Sequence, residues 1–387
     1  MKKQVDNVKK ILFITGTRAD YGKIKSLMKT MDKSERYEVF IYVSGMHLLA
    51  QYGNTYQEVL KDKYKNVHVA FGQQFTDNMS YNLGNVLMNL SGYVRQIAPD
   101  MILVHGDRID ALAGAITGAL NNIMVAHVEG GEISGTIDDS IRHAISKFAH
   151  LHFVCNEEAK KRIIQLGESE ERIFVIGSPD IDVMLSDKLP ALQTVKEYYE
   201  IDFEHYGIFL YHPVTTEVEQ LSENITTIIQ ALKASERNFV VVYPNNDMGS
   251  EIILDKVKKL GKDKHFAVYP SIRFEYFLAL LKNADFIIGN SSAGIRESGI
   301  YGVPAIDIGT RQNGRYDIHK LKNIQHIMEK VEPILEAIDN AGNYAVKCHS
   351  FGNGHSTEKF LEILENADIW SSEIQKKFVD LKDLRKK

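Results

Sequence analysis

Short apolar runs alternate with longer amphipathic stretches along the whole chain. Continuous runs such as Ile102–Val104 are typical of strands buried on both faces. In the first half, strands are predicted at Lys10–Thr15, Glu38–Val43, Met101–His105, Ile123–Val128, His152–Cys155 and Arg172–Ile176. Helices are predicted between them at Lys23–Met31, Tyr81–Ile97, Ala111–Asn121, Ser140–Lys147 and Glu157–Leu166. This alternation predicts a parallel sheet with right-handed crossovers.

The alternation breaks at Gly177–Glu200, which contains Ser178, Pro179 and Pro190, and then begins again. In the second half, strands are predicted at Gly207–Tyr211, Phe239–Tyr243, Phe266–Tyr269, Asp285–Gly289 and Ala305–Ile308. Helices are predicted at Ser222–Ala234, Ser250–Leu260, Phe274–Asn283, Ile295–Tyr301 and Ile327–Asp339, with Pro333 expected to kink or split the last one. We therefore predict an α/β fold with two similar domains, 1–185 and 186–365.

The end of the chain is predicted to be helical, at Glu358–Asn366 and Ser371–Leu384. The terminal stretch Gln375–Lys387 is rich in Lys interleaved with Asp, the pattern of a solvated helix and tail. We predict that segment 366–387 is a C-terminal helix that packs back on the first domain.

Composition and charge narrow the class of protein. The chain has 387 residues, 44% of them hydrophobic, and a formal net charge of -5, which suits an ordinary two-domain globular protein. Its two cysteines, Cys155 and Cys348, lie far apart, which indicates a reducing, cytoplasmic setting. No apolar run approaches the roughly 20 residues of a membrane span, and mild acidity does not indicate a nucleic-acid surface. We expect neither a membrane nor a nucleic acid as partner.

Polar clusters follow seven of the predicted strands. They lie at Thr15–Gly22, His105–Arg108, His127–Glu132, Tyr211–Pro213, Tyr243–Asp247, Gly289–Gly294 and Gly309–Arg311. Open parallel sheets bind ligands beyond the carboxyl ends of their strands. Because the clusters come from both halves, the sequence predicts one cleft shared by two sheets.

The cluster Gly289–Gly294 combines small residues with hydroxyls before a predicted helix. Small residues let backbone amides approach an anion, and Ser291 and Ser292 add hydrogen-bond donors. Arg311 and Arg18 supply cations, which favours phosphate binding over the alternative of a tight turn with a serine cap. The chain has neither a G-x-G-x-x-G motif after its first strand nor a P-loop motif, so a redox dinucleotide is disfavoured. Glu297 is predicted to contact a ribose diol, because a diphosphate would repel its carboxylate.

Two acids just past buried strands, Asp107 and Glu129, are the predicted acid–base groups, since carboxylates in a partly dry cleft can act near neutral pH. The alternative for Asp107 is a salt bridge with Arg142, and the alternative for Asp139 is a helix cap. His212 follows a strand and is predicted to be a ligand or an acid. His143, His150 and His152 have no recognised ligand spacing, so no metal is predicted.

These clusters resemble the hydrolysing UDP-N-acetylglucosamine 2-epimerases of sialic-acid-type biosynthesis, from about Lys9 to Leu364. The matching blocks are Thr15–Gly22, Tyr52–Thr55, His105–Arg108, His127–His143, His212–Thr216, Gly289–Ser292, Arg296–Glu297 and Gly309–Gln312. Non-hydrolysing relatives carry Gly-Thr-Arg-Pro-Glu and His-Val-Glu-Ala-Gly-Leu-Arg stretches instead. Here Arg18-Ala19-Asp20 and Glu129-Gly130-Gly131-Glu132 are similar to the hydrolysing branch. The resemblance implies a GT-B-like fold of two Rossmann-like domains facing a central cleft, with no cofactor.

The resemblance also implies roles for individual residues. The nucleotide is held by Arg18, Arg108, His212, Asn245, Ser291, Ser292, Glu297 and Arg311. The sugar is surrounded by the acid–base group Asp107, Glu129 and Asp139, supported by His127 and Arg142. We assign Glu129 as the base and His212 as an acid or donor on the phosphate side, which leaves Asp107 and Asp139 for hydration.

The implied reaction removes the carbon 2 proton and expels UDP to give a 2-acetamidoglucal, to which water adds. A free 2-epimer of the ManNAc type then leaves. UDP-N-acetylglucosamine is the default substrate, and UDP-N,N'-diacetylbacillosamine on a legionaminic acid route is the alternative. The rival classes are a GT-B glycosyltransferase and a nucleotide-sugar binding protein without turnover. A homo-oligomer, dimer or tetramer, is expected from the family, with surface or capsule polysaccharide synthesis as its setting.

Overall fold

A computed structural model describes residues 8–76, 78–371 and 373–380. The chain forms two compact units, each built around one sheet. The first unit contains the chain up to Glu132, Asp138–Val183 and the chain from Gly352 onward. The second unit contains Ile133–Ile137 and Met184–Phe351. Among the described residues, no helix is long and apolar enough to cross a bilayer.

The first unit has a seven-stranded parallel sheet in the order β3-β2-β1-β4-β5-β6-β7. Its strands are β1 Lys9–Thr15, β2 Tyr37–Val43, β3 Asn66–Val69, β4 Met101–His105, β5 Met124–Val128, β6 Leu151–Val154 and β7 Ile173–Val175. Its helices are α1 Arg18–Asp32, α2 Tyr56–Lys61, α3 Met79–Ile97, α4 Ile109–Leu120, α5 Asp138–Phe148, α6 Glu157–Gln165 and α7 Pro179–Met184, the last of which ends in the second unit.

The sheet of the first unit is covered on both faces, as the continuous apolar runs predict. Along β1, Ile11 and Phe13 pack in one core cluster while Leu12 and Ile14 pack in another on the opposite face. All four side chains are buried. Successive side chains of a strand point to opposite faces, so a strand without polar positions requires helices on both sides.

The second unit has a six-stranded parallel sheet in the order β10-β9-β8-β11-β12-β13. Its strands are β8 Gly207–Leu210, β9 Phe239–Val242, β10 Phe266–Tyr269, β11 Phe286–Gly289, β12 Ala305–Ile308 and β13 Ile324–Ile327. Its helices are α8 Leu192–Tyr199, α9 Val218–Ala234, α10 Ser250–Leu260, α11 Phe274–Lys282, α12 Ala293–Arg296, α13 Ser298–Tyr301 and α14 Val331–Asp339. The prediction of two parallel-sheet α/β domains is confirmed.

Three predicted helices in the second half and at the chain end need correction. The sequence 327–339 is not one helix, because Ile327 ends the edge strand β13 and α14 begins only at Val331. Pro333 lies in the first turn of α14, where its missing N–H leaves no intrahelical bond unmade. The predicted helix 295–301 is interrupted at Glu297, which separates α12 from α13.

The predicted helix 371–384 is wrong for the residues that the structure describes there. After α15 Ser356–Leu364 and α16 Ala367–Trp370, residues 373–380 are not helical, and 381–384 lie outside the described residues. Instead, the Ile374 carbonyl accepts from His150 Nε2 at 3.0 Å and Lys376 Nζ donates to the Lys147 carbonyl at 2.7 Å. These contacts with the end of α5 favour an extended segment, and tertiary bonds override a weak helical pattern.

Candidate active site

The turn after β1 holds a buried carboxylate at the start of α1. The Asp20 carboxylate accepts hydrogen bonds from the backbone N–H groups of Gly16 at 3.1 Å and Thr17 at 3.0 Å, and from the Thr15 hydroxyl. Burial raises the pKa of Asp20 to about 6, although the Thr15 hydrogen bond acts in the opposite direction. Asp20 thus occupies amides that a phosphate could otherwise use, and the cation of this turn is Arg18.

Arg18 is largely enclosed and only partly satisfied. Its side chain is 15% exposed and forms an ion pair with Glu58 of α2. Its Nε and Nη1 atoms are buried and have no hydrogen-bond partner among the described residues. Buried donors without partners are costly, so this guanidinium has unused capacity for an anionic ligand.

Glu129 directly follows β5 in a strained backbone conformation. Its φ is 65°, in the left-handed region that costs a residue with a side chain of this size about 1–2 kcal/mol. The carboxylate is buried and accepts a hydrogen bond from Ser178 Oγ at 2.5 Å on Oε1. His105 Nε2 lies 3.3 Å from the same oxygen. The fold therefore holds this acid in one orientation.

Arg142 brings together two of the predicted acids. Its guanidinium is buried and pairs with Asp107 through Nη2 and with Asp139 through Nη1 at 3.0 Å. Burial alone would lower the Arg142 pKa, but the surrounding carboxylates, Asp107 foremost, raise it, so the side chain stays cationic. The alternative interpretation of Asp107, a salt bridge with Arg142, is present in the structure. The two acids are 20% and 29% exposed, so each retains an accessible edge beside a fixed charge.

His127 lies under the turn that carries Asp107. Its Nε2 atom is 2.8 Å from the Gly106 carbonyl, to which it can only donate, and its Nδ1 atom is 3.1 Å from the Ser146 hydroxyl. Burial lowers the pKa of His127 to about 3, so the ring is neutral. Since both ring nitrogens bond within the protein, His127 holds the turn and supports the acids from behind.

We expect His127 to make the protein acid-sensitive. A histidine whose folded-state pKa is depressed stabilises fully above its unfolded value near 6.5 and loses that contribution as pH falls toward 3. Between pH 7 and pH 5 the free energy of unfolding should fall by about 2 kcal/mol through this group. Urea unfolding of wild type and His127→Gln at both pH values tests this, since the variant should lose about 2 kcal/mol less than wild type. Equal losses would contradict it.

In the second unit, the turn after β11 depends on a glycine. Gly289 has φ 132°, and an added Cβ would lie 1.8 Å from the Leu210 carbonyl oxygen. Ser291 and Ser292 follow and are half-buried, while residues 293–300 behind them are buried. Ser291 and Ser292 are thus the partly accessible residues of the turn that is predicted to bind phosphate.

Asn290 forms hydrogen bonds with two residues that are predicted to bind the nucleotide, His212 and Arg311. Its side chain accepts from the His212 backbone N–H at 2.7 Å and donates to the His212 carbonyl at 2.8 Å. Its own carbonyl accepts from Arg311 Nη1 at 3.2 Å and from Gln312 Nε2 at 2.7 Å. Asn290 is buried, and it holds two loops against the turn after β11. Its side chain bonds to the loop after β8, and its backbone carbonyl bonds to the loop after β12.

The His212 ring is oriented by a backbone bond. The Asn245 N–H donates to His212 Nδ1 at 3.0 Å, so Nδ1 is the acceptor. In the neutral ring the proton then sits on Nε2, which makes Nε2 a donor suited to an anionic oxygen. The Asn245 side chain itself donates to Asp247.

The structure also locates three further residues of the predicted site, Glu297, Arg311 and Arg108. Glu297 is buried at the junction of α12 and α13, and Arg311 is buried beside Asn290. Arg108 is the N-cap residue of α4. Among the residues that the structure describes, no group of three His, Cys, Asp or Glu side chains could hold a metal ion.

Several residues that organise the site are absent from the predicted set. They are His105, Ser178, Asn290 and Gln312. In the sequence, Ser178 marks an interruption of the strand–helix alternation, and Asn290 is a member of the Gly289–Gly294 cluster. His105 ends β4 and Asn290 follows β11, so the strand-end rule that selected their neighbours points to them as well.

A short segment of the first half of the chain belongs to the second unit. Gly135, in Ile133–Ile137, donates its backbone N–H to the Arg311 carbonyl at 3.1 Å. An added Cβ on Gly135 would lie 2.5 Å from the Thr310 carbonyl oxygen. This segment therefore packs directly against the loop that positions Arg311.

Gly135→Ala should displace the Arg311 loop, because the new methyl group meets backbone and not a flexible side chain. Overpacking of this kind costs about 1–3 kcal/mol, and we expect the affinity for the nucleotide that the sequence predicts as ligand to fall about tenfold. Gly342→Ala is the matched control, since nothing lies within 4 Å of its added Cβ. Calorimetric titration with UDP measures both variants, and equal affinities for the two would contradict the prediction.

Comparison with known proteins places the chain among enzymes of nucleotide-sugar metabolism. The family model described as UDP-N-acetylglucosamine 2-epimerase matches residues 29–365. A UDP-N-acetylglucosamine 2-epimerase of Neisseria meningitidis is 47% identical over 380 residues, covering 97% of this chain and 100% of that protein. A UDP-N,N'-diacetylbacillosamine 2-epimerase (hydrolyzing) of Legionella pneumophila is 32% identical, covering 95% and 99%.

Solved structures show the same fold at low sequence identity. The UDP-GlcNAc 2-epimerase of Methanocaldococcus jannaschii in complex with UDP-GlcNAc and UDP has a TM-score of 0.77 at 22% identity, covering 92% of this chain and 99% of that chain. The UDP-GlcNAc 2-epimerase of Neisseria meningitidis bound to UDP-GlcNAc has a TM-score of 0.76 at 18% identity, covering 92% and 100%. These matches confirm the predicted GT-B-like fold.

Proposed function

Because the chain belongs to the UDP-N-acetylglucosamine 2-epimerase family, we propose that it is a hydrolysing member that converts a UDP-2-acetamido sugar and water to UDP and the free 2-epimer. The observation that carries the proposal is the arrangement of acids in the first unit. Glu129 accepts a hydrogen bond from Ser178 and has His105 nearby, whereas Asp107 and Asp139 share the Arg142 guanidinium. One acid is thus set apart from a pair, which suits two successive proton-transfer steps.

The first step is an elimination. Glu129 takes the proton from carbon 2 while the bond from carbon 1 to the phosphate oxygen breaks and its electron pair leaves with UDP. The carbon 2 hydrogen is a poor acid, so charge on the departing diphosphate must be stabilised as it grows. The donors that fit are His212 Nε2, whose tautomer is set by Asn245, and the guanidinium groups of Arg18 and Arg311.

The second step adds water to the glycal. A hydroxyl forms a bond to carbon 1, and a proton is delivered to carbon 2 from the face opposite to the one that lost it. Asp107 and Asp139 are the proposed groups for this step, because both lie partly exposed beside the fixed charge of Arg142. His127 supports Asp107 through the Gly106 carbonyl.

The second unit takes the nucleotide in this proposal. Ser291 and Ser292 contact phosphate at the turn after β11, and Glu297 contacts the ribose hydroxyls. Asn245 is a further proposed nucleotide-binding residue of this unit, and Arg108 is one that belongs to the first unit. Structures of relatives in complex with UDP-GlcNAc and UDP support a nucleotide sugar as the ligand class.

The product of the reaction tests the proposal. Incubation with UDP-N-acetylglucosamine alone in deuterated water should release UDP and free 2-epimer in equal amounts, with one deuterium at carbon 2. A 2-epimer still linked to UDP would indicate the non-hydrolysing reaction instead. Absence of products until an acceptor is added would indicate a glycosyltransferase.

The sugar substituents at carbons 4 and 6 are a separate question. The 47% identical relative is named for UDP-N-acetylglucosamine, which supports that substrate. The proposed product is then a free 2-epimer of the ManNAc type. The Legionella relative is named for UDP-N,N'-diacetylbacillosamine, which supports the legionaminic acid alternative. Product assays by NMR on both UDP-sugars and their GDP counterparts distinguish them, and the preferred substrate should show the higher kcat/KM.

A further inference from the structure

We infer that Ser178 is a positioning residue for the proposed base, holding the Glu129 carboxylate through its hydroxyl with His105 on the same oxygen. The inference rests on the proposed function for the role of Glu129 and names the device that orients it. Neither Ser178 nor His105 belongs to the acid–base group that the sequence predicts.

The contact has the geometry of a charge-assisted hydrogen bond. Ser178 Oγ lies 2.5 Å from Glu129 Oε1, and both residues are buried. A hydroxyl that donates to a carboxylate typically lies 2.5–2.7 Å away and is about twice as strong as a neutral pair. His105 Nε2 lies 3.3 Å from the same oxygen and is also buried. Ser178 therefore donates to Oε1, and His105 Nε2 lies close to that oxygen without meeting hydrogen-bond geometry.

The backbone around Ser178 is fixed on several sides. Gly177, at φ 85°, donates its N–H to the Val154 carbonyl at 3.3 Å, which ties the turn to the end of β6. An added Cβ on Gly352 would lie 3.2 Å from the Ser178 nitrogen. Asp180, two residues later, forms a buried ion pair with Lys23 of α1 at 3.4 Å. These contacts fix the loop that carries the Ser178 hydroxyl, so the hydroxyl is already in position before substrate binds.

This arrangement is what a buried base with a strained backbone needs. Glu129 at φ 65° depends on its surroundings to stay in place, and a carboxylate in an apolar setting is ionised only when donors stabilise its charge. Without the Ser178 hydroxyl, the ionised form loses a donor that lies 2.5 Å from Oε1. The titration midpoint of Glu129 should then rise by about one pH unit, and kcat should fall about 10–100-fold. KM should change less than about twofold, because the hydrogen bond that is removed acts on the proposed base and not on the proposed nucleotide-binding residues.

The experiment compares Ser178→Ala with Ser26→Ala. The Ser26 hydroxyl, on α1, donates to the carbonyl of Pro179, the residue after Ser178, at 3.4 Å. Removing it weakens the packing of the Ser178 segment without touching the Ser178–Glu129 hydrogen bond. For Ser178→Ala we expect the acid limb of the kcat/KM profile to move upward by about one pH unit, and for Ser26→Ala no movement. A lower kcat in Ser178→Ala with an unmoved acid limb would mean a merely structural role and would overturn the inference.

A second measurement does not depend on turnover. Carbon-13 NMR titration of the Glu129 carboxylate, assigned with Glu129→Gln, should show a higher midpoint in Ser178→Ala than in wild type. Equal midpoints overturn the inference whatever the activity. If wild type releases no free 2-epimer from any UDP-2-acetamido sugar, the proposed function fails, while the NMR comparison still decides the Ser178 contact.

Discussion

Glu129→Gln should lower kcat by about a thousandfold and leave the affinity for UDP unchanged. A general base contributes about 10²–10⁴ to the rate, and glutamine keeps the shape of the side chain without accepting a proton. The Ser178 hydroxyl can still donate to the amide oxygen, so the buried site remains satisfied. Stopped assays of UDP release give kcat, and calorimetric titration with UDP gives the affinity.

Glu168→Gln is the matched control for loss of a buried carboxylate from the same unit. Glu168 pairs with Lys147 at 2.6 Å and with Lys376 at 2.7 Å, and it does not belong to the proposed site. Burial alone would raise its pKa, but hydrogen bonds from His152, Lys147 and Lys376 lower it to about 2. This variant should lose stability and keep its kcat. Wild-type turnover in Glu129→Gln would exclude Glu129 as the base.

Arg142→Leu should cost about 3–5 kcal/mol of unfolding free energy and remove measurable turnover. Breaking a buried ion pair by deleting one partner leaves the other charge without compensation, which is far more costly than losing a surface pair. Here Asp107 and Asp139 both lose their guanidinium partner. The Glu132 carbonyl, which accepts from Arg142 Nη1 at 3.3 Å, loses a donor as well. Urea unfolding and product assays measure the two effects.

Arg142→Lys separates charge from geometry. A lysine keeps the positive charge but lacks the planar fork that contacts two carboxylates at once. We expect a smaller loss of stability than in Arg142→Leu and a loss of kcat of about a hundredfold. Arg95→Leu, at an exposed position of α3, should change stability by less than about 0.5 kcal/mol. If Arg142→Lys retains full kcat, bidentate positioning of the acids is not required.

The prediction of helices and strands succeeded where one local pattern dominates. The run Met101–His105, which is buried on both faces, has the predicted bounds. The edge strands Asn66–Val69 and Ile324–Ile327 were missed, because both are half-exposed and carry polar residues that weaken the apolar signal. The hydrophobic pattern of a segment indicates how that segment is buried. It does not indicate which other strand the segment pairs with.

Contacts within the site were harder to predict because their partners are far apart in the chain. Ser178 and Glu129 are separated by 49 residues, and His212 and Asn290 by 78. Nothing in the periodicity of either segment encodes these pairs, which arise when the strands of one parallel sheet place their carboxyl ends at the same edge. The C-terminal segment is another such case, because Lys376 can donate to the Lys147 carbonyl only when the segment and α5 have packed together.

The amino-acid sequence by itself determined the alternation of strands and helices, the two parallel sheets and the strand ends that carry polar clusters. These features are predictable because a strand buried on both faces and a turn that needs glycine each depend on a few consecutive residues. Only the tertiary structure decided which polar groups share a partner. It joined Asp107 to Asp139 through Arg142, oriented Glu129 through Ser178 and set the His212 tautomer through the Asn245 amide. Those contacts depend on distance and angle between separate strand ends, which packing of the whole unit fixes.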